Sequence, residues 1–242
     1  MIKLSGVTKE FSGKKVLDNV FLEIPDGQKL AVIGPSGCGK STLLRLLVKL
    51  SPVSRGSIFV DGREITMLEG DPLIKARMAF GFVFQTSALF DSLSVYENVA
   101  FGLRQQKHLA EDAISRIVKE RLEMVDLPGT EKLMPSELSG GMQKRVSLAR
   151  AIATDPKIIL YDEPTTGLDP ITSTVIEDLI NKLAVRFKAT SIIVTHQITT
   201  VYRTCDRVLM LHEGKFIETG SAAQTAASID PVVSNFIKGG LN

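Results

Sequence analysis

The sequence predicts an α/β protein organised on a parallel β-sheet, with an antiparallel layer ahead of it and a helical insertion within it. Three observations carry that prediction. Apolar runs at 30–33, 158–161 and 192–194 have the length and composition of buried parallel strands. The first leads into Gly34-Pro35-Ser36-Gly37-Cys38-Gly39-Lys40-Ser41-Thr42 and then into the helix-like Leu43-Leu44-Arg45-Leu46-Leu47-Val48. From residue 92 to 153 the apolar period changes from that of a strand to that of a helix.

Residues 2–7, 16–24 and 29–33 read as strands separated by turn signals at Ser12-Gly13 and Pro25-Asp26-Gly27, a small antiparallel layer leading into the glycine-rich stretch. That stretch has the G-x-x-x-x-G-K-[ST] spacing of a phosphate-binding loop, in the strand-then-helix context the motif requires. Gly34 and Gly39 let the backbone turn tightly and bring N–H groups close to phosphate oxygens, and the helix beginning near Lys40 adds the positive end of its dipole. Lys40 is placed to reach the β- and γ-phosphates and the Ser41 hydroxyl to ligate Mg²⁺. A nucleoside triphosphate is the expected ligand. From spacing alone Phe11 reads as a core aromatic, with a platform for a stacked adenine ring as the alternative.

After the phosphate loop, residues 56–60 form a strand closed by an Asp61-Gly62 turn, and 78–84 an apolar strand ending at Gln85. Gln85 is either a solvated loop residue or a contact to Mg²⁺ or water. Three helical faces follow: Val95, Val99 and Leu103; Ile114, Ile117, Val118, Leu122 and Val125; and Met142, Val146, Ala149 and Ile152. Ahead of the last lies Leu138-Ser139-Gly140-Gly141-Met142-Gln143-Lys144-Arg145. Ser139 is a natural N-cap there, and two glycines at a helix start leave bare N–H groups suited to a phosphate, unless they form only a flexible turn.

The strand at 157–161 ends in two carboxylates. Asp162 stands where Mg²⁺ is held, and Glu163, pointing elsewhere, can orient or deprotonate an attacking water. Gly167-Leu168-Asp169-Pro170 reads as a turn, 172–187 as a helix and 191–195 as a parallel strand ending at His196, a structural histidine or a γ-phosphate contact. Strands at 207–211 and 215–219 form a hairpin. The tail places Val232, Val233, Phe236 and Ile237 on one helical face, to cover this chain's own core or dock on a neighbour.

Of the 242 residues 44% are hydrophobic and 23% charged, and the net charge of +2 is evenly spread, without the basic stripe that nucleic acid binding requires. No apolar stretch approaches the roughly 18 residues of a membrane span, and the N-terminus has no signal-peptide layout. The chain is expected in the cytosolic compartment, recruited to any membrane by another subunit. Cys38 and Cys205 are far apart and His108, His196 and His212 are scattered, which speaks against a disulfide framework or a His/Cys metal centre.

Together these motifs are similar to those of the ATP-binding subunit of an ABC transporter, over essentially residues 1–220. The resemblance implies the P-loop NTPase fold of ABC ATPases: an antiparallel β layer, a RecA-like parallel-sheet core, a helical subdomain at about 86–155 and a C-terminal tail at about 221–242, in one domain spanning 1–242. It matches Phe11 to the adenine-stacking aromatic, with Val16 in the same nucleotide-binding set, and 34–42 to Walker A. Gln85 matches the Q-loop, Leu138 to Gln143 the signature, and Asp162 the end of Walker B. Glu163 matches the catalytic glutamate, 167–169 the D-loop and His196 the switch histidine. Lys40, Gln85, Glu163 and His196 would carry catalysis, with Ser41, Gln85 and Asp162 holding Mg²⁺.

Two departures are visible: Gln197 where the family usually has an acid, and Phe in place of the commoner Tyr at position 11. The resemblance also implies a head-to-tail homodimer, in which Ser139, Gly140 and Gly141 of one copy close over ATP held by Lys40 of the other. Residues 88–104 resemble ATPases of the Mla/MCE phospholipid transporters. That implies integral membrane permease subunits, an MCE-type lipid-binding protein in the complex, no nucleic acid, and a place on the cytoplasmic face of the inner membrane. An importer ATPase for a polar solute and a non-transport ABC ATPase are the alternatives.

Overall fold

The computed structural model describes residues 1–105 and 109–239; His108 and the last three residues of the tail lie outside them. In chain order the elements are β1 (Ile2–Phe11), β2 (Lys14–Ile24), β3 (Lys29–Ile33), α1 (Lys40–Leu47), β4 (Arg55–Val60), β5 (Arg63–Glu64), α2 (Gly70–Arg77), β6 (Phe80–Val83), α3 (Val95–Arg104) and α4 (Glu111–Met124). A 3₁₀ turn (Pro135–Glu137) precedes α5 (Gly140–Ile152), β7 (Ile158–Asp162), α6 (Pro170–Phe187), β8 (Thr190–Val194), α7 (Ile198–Thr204), β9 (Arg207–His212), β10 (Lys215–Gly220), α8 (Ala222–Ala226) and α9 (Pro231–Ile237).

The chain divides into two compact units. The first joins Met1–Arg77 to the segment from Ala189 onward, and the second is Met78–Lys188. The helical segment expected at 86–155 lies inside the second unit, which also takes in β6, β7 and α6.

In the first unit the expected antiparallel layer is present, in the order β2-β1-β4-β5. Ile2 pairs with Ile24 and Val60, and Leu4 with Leu22 and Ile58, so one face is apolar and buried. The strands of the other sheet follow the order β10-β9-β3-β8, with β10 antiparallel to β9. β3 is parallel to both β8 and β9, and being covered on both sides it reads as an unbroken apolar run: Leu30, Ala31, Val32 and Ile33 are all 0% exposed.

The open alternative for the tail resolves in favour of the chain's own core. Val232, Val233, Phe236 and Ile237 pack against Ala31, Ile33, Val201, Val208 and Met210, with Val233 fully buried. Asp230 caps α9 by accepting from the N–H groups of Val232 and Val233. Val233→Ala should lower the free energy of unfolding by about 2 kcal/mol. Urea denaturation measures this, and a variant as stable as wild type would remove the tail from the core.

In the second unit β6 and β7 are parallel neighbours, with Phe80 opposite Ile158 and Val83 opposite Tyr161. A Cβ on Gly81 would stand 2.3 Å from the Ala151 carbonyl oxygen, so β6 and α5 pack backbone to backbone. The predicted helical faces are buried at Val95, Val99, Leu103, Ile114, Val118, Leu122, Val125, Val146, Ala149 and Ile152. Fully buried Asn98 fastens the chain ahead of α3, donating to the carbonyls of Phe90, Leu93 and Ser94 and accepting from the Phe90 N–H.

Candidate nucleotide site

In the first unit the phosphate loop leaves the C-terminal end of β3 in a conformation that only glycine adopts readily. Gly34 has φ +149°, and a Cβ there would fall 2.5 Å from the Leu211 carbonyl oxygen. Gly39 has φ +113°, and its Cβ would meet Val16 at 3.1 Å, which makes Val16 the wall behind the loop. No side chain caps α1, so its first N–H groups remain for an anion. Lys40 is buried and its ammonium donates to the carbonyls of Gly34 (2.7 Å) and Pro35 (3.0 Å), folded over the loop it belongs to. Pro35, Cys38, Ser41 and Thr42 are half-buried, and Ser36 and Gly37 exposed. This glycine loop, with uncapped N–H groups and a buried ammonium beside it, fits a phosphate chain.

The register of β3 and β8 pairs Val32 with Val194, and the Thr195 N–H continues it by donating to the Val32 carbonyl at 3.2 Å. Gly34 and His196 therefore leave the same edge of adjacent strands. His196 is exposed there, and the buried Thr195 hydroxyl accepts from the Gln197 N–H at 3.0 Å. Phe11 is 48% exposed, which corrects the core reading from spacing: β1 ends past the apolar layer and leaves the ring in solvent. The Lys9 ammonium covers one face at 4.6 Å from the centroid.

In the second unit the pairing of Val83 with Tyr161 likewise brings Gln85 and Glu163 to one strand edge. Gln85 is exposed, whereas Asp162 and Glu163 are only 4% and 7% exposed. Glu163 has φ +47°, an unusual backbone for a residue with a side chain, and its carboxylate accepts from the Thr166 hydroxyl at 3.0 Å. Sequence reasoning did not single out Lys144. It is buried and donates to the Gln85 carbonyl at 2.5 Å. Burial pulls its ammonium down to about 8, against the opposing pull of the Asp162 and Glu163 charges.

Ser139 caps α5 as expected, accepting from the Met142 N–H at 3.3 Å, and it and Gly140 are exposed. Its hydroxyl proton stays available for donation. Gly141 has a packing reason of its own, because a Cβ would stand 2.6 Å from Thr172 at the start of α6. The Gln143 amide turns back to the carbonyls of Pro135 and Leu138 and holds the approach to α5. Among the described residues no helix is long and apolar enough to cross a membrane.

The ABC transporter family matches residues 17–166. The chain is 41% identical to the intermembrane phospholipid transport system ATP-binding protein MlaF of Haemophilus influenzae, across 99% of this chain and 90% of that protein. It is 43% identical to the methionine import ATP-binding protein MetN of Haemophilus ducreyi, across 94% of this chain and 67% of that one. A dimeric ATP-binding cassette solved in a post-hydrolysis state with ADP and Pi superposes with a TM-score of 0.84 at 34% identity, over 92% of this chain and 99% of the other. The chain belongs to the ABC transporter family of ATPases.

Proposed function

We propose that this chain is the ATP-hydrolysing subunit of a membrane transporter for phospholipid, working as a head-to-tail homodimer on the cytoplasmic face of the inner membrane. The observation that carries the proposal is the pair of unlike half-sites: a glycine cradle with buried Lys40, and a solvent-facing helix start at Ser139-Gly140. A helix that presents a capping serine and uncovered N–H groups to solvent is suited to an anion from a second copy.

In this reading the N–H groups of 34–42 and Lys40 bind the phosphates, Phe11 stacks the adenine on the face that Lys9 leaves open, and His196 contacts the γ-phosphate. Glu163 orients and deprotonates the attacking water. Ser41, Gln85 and Asp162 would hold Mg²⁺, a donor set of one carboxylate and neutral oxygens that suits an ion shared with phosphates. When bound, Mg²⁺ neutralises charge on the phosphoryl oxygens.

The cargo assignment rests on the likeness of the whole chain to MlaF. Phe90 and Phe101, exposed rings 4.7 Å apart, are the surface we propose for the permease, with an MCE-type lipid-binding protein in the same complex. The likeness to MetN favours the second reading, an importer ATPase for a polar solute. Purifying the tagged chain from membranes separates them: a permease whose ATPase responds to phospholipid supports the first, and one that responds to an amino acid overturns it. Half-buried Cys38 supplies a further check. A thiol reagent should inhibit hydrolysis, with ATP slowing the labelling at least about tenfold if Kd is well below the ATP used. Labelling indifferent to ATP would move Cys38 off the phosphate loop.

A further inference from the structure

We propose that Lys144 is a positioning residue that fastens the Gln85 loop to α5, so that Gln85 keeps its placement at the strand edge it shares with Glu163 through turnover. The inference rests on the ATPase reading above and adds a residue that reading does not use. β6 and β7 are parallel neighbours whose ends carry Gln85 and Glu163, but strand pairing stops at Val83 and Tyr161. Beyond it the Gln85 segment has to be held by something else.

Lys144 supplies that hold from α5. Its ammonium donates to the carbonyls of Gln85 (2.5 Å) and Phe84 (3.4 Å) while lying in the field of the Asp162 and Glu163 carboxylates. Less than two turns further along α5, Arg150 donates to the carbonyls of Ser87 and Ala88, each at 2.7 Å. Ser87 and Ala88 have φ +62° and +46°, a backbone that side chains rarely adopt and that persists when contacts over-determine it. Two cations on one helix thus bind four carbonyls of the segment from Phe84 to Ala88.

A charged donor binds those carbonyls more strongly than a neutral one would. A buried cation is costly to leave unpartnered, and the partners of Lys144 are the carbonyls of this one segment. The same helix begins at Ser139, so any movement of that edge carries the Gln85 backbone with it.

The test uses the full chain with Mg²⁺ and ATP, measuring kcat, KM, binding of a fluorescent ATP analogue, and thermal unfolding. Lys144→Met should bind the analogue within about threefold of wild type and unfold cooperatively, with kcat lowered about 10- to 100-fold, the range expected when reacting groups are misplaced by an ångström or less. Lys144→Arg, which keeps the charge and the donors, should recover most of the loss. A kcat for Lys144→Met within about twofold of wild type overturns the proposal. So does a loss that Lys144→Arg fails to relieve or that tracks weakened analogue binding, because a general structural role produces both. Wild type and Glu163→Gln are run in parallel: wild type without ATPase activity would bring down the ATPase reading and this proposal together, whereas an active wild type with a normal Lys144→Met brings down only the latter.

Discussion

Glu163→Gln should bind ATP as tightly as wild type and hydrolyse it about 10²- to 10⁴-fold more slowly, a rise in barrier of about 3 to 5 kcal/mol. The side chain keeps its size and its oxygen acceptor for the Thr166 hydroxyl, which now meets the carboxylate at 3.0 Å, so the local geometry is retained. What is lost is a basic oxygen able to take a proton from water. The backbone supports the assignment, since a glutamate at φ +47° and 7% exposure is held in a position that costs strain and desolvation. Single-turnover hydrolysis and equilibrium ATP binding, measured together, separate chemistry from affinity. Turnover within a few-fold of wild type would take the general-base role away from Glu163. If chemistry is arrested with ATP bound, the variant should also run as a dimer on gel filtration with ATP and as a monomer without it. A monomer under both conditions would count against the head-to-tail pair.

The parts of the fold that are buried on both sides were the most legible. β3, β7 and β8 each carry an apolar run, and once their ends are fixed, the pairing of β3 with β8 places Gly34 and His196 at one strand edge, and that of β6 with β7 places Gln85 and Glu163 at another. α7 was not foreseen, because Ile198-Thr199-Thr200-Val201-Tyr202-Arg203-Thr204 is rich in residues that favour strands; burial of Thr200, Val201 and Thr204 against β3 and its neighbours overrides that preference. α2 has no buried residue and so no apolar period to read. Phe11 failed in the opposite direction, since an aromatic at the last position of a strand looks like core until the strand is seen to outrun its layer. Lys144 was hidden among Gln143 and Arg145 as one more polar residue. The available signal was its spacing: Lys144, Leu148 and Ala151 fall on one buried face of α5, where a lysine needs a partner.

Lys40→Ala should lose ATP affinity by about 100-fold or more, and hydrolysis with it. The ammonium reaches the carbonyls of Gly34 and Pro35 across the loop, which places it to meet phosphate oxygens held there. A hydrogen bond to a charged group is worth about 1.5 to 3 kcal/mol, and losing two of them from the complex corresponds to at least two decades in Kd. The same side chain braces its own loop, so without nucleotide the substitution should also cost the protein about 1 to 2 kcal/mol by taking the donor from those carbonyls. The two effects separate by linkage. With ATP at about 100 times the wild-type Kd, binding adds about 2.7 kcal/mol to the stability of wild type, and less than about 0.5 kcal/mol to a variant whose Kd is 100-fold weaker. Thermal unfolding with and without ATP should therefore show a large nucleotide-dependent rise for wild type and almost none for Lys40→Ala, on top of a lower starting point. An equal rise in both would mean that Lys40 only braces its own loop, and that the phosphates are held by the backbone of 34–42 alone.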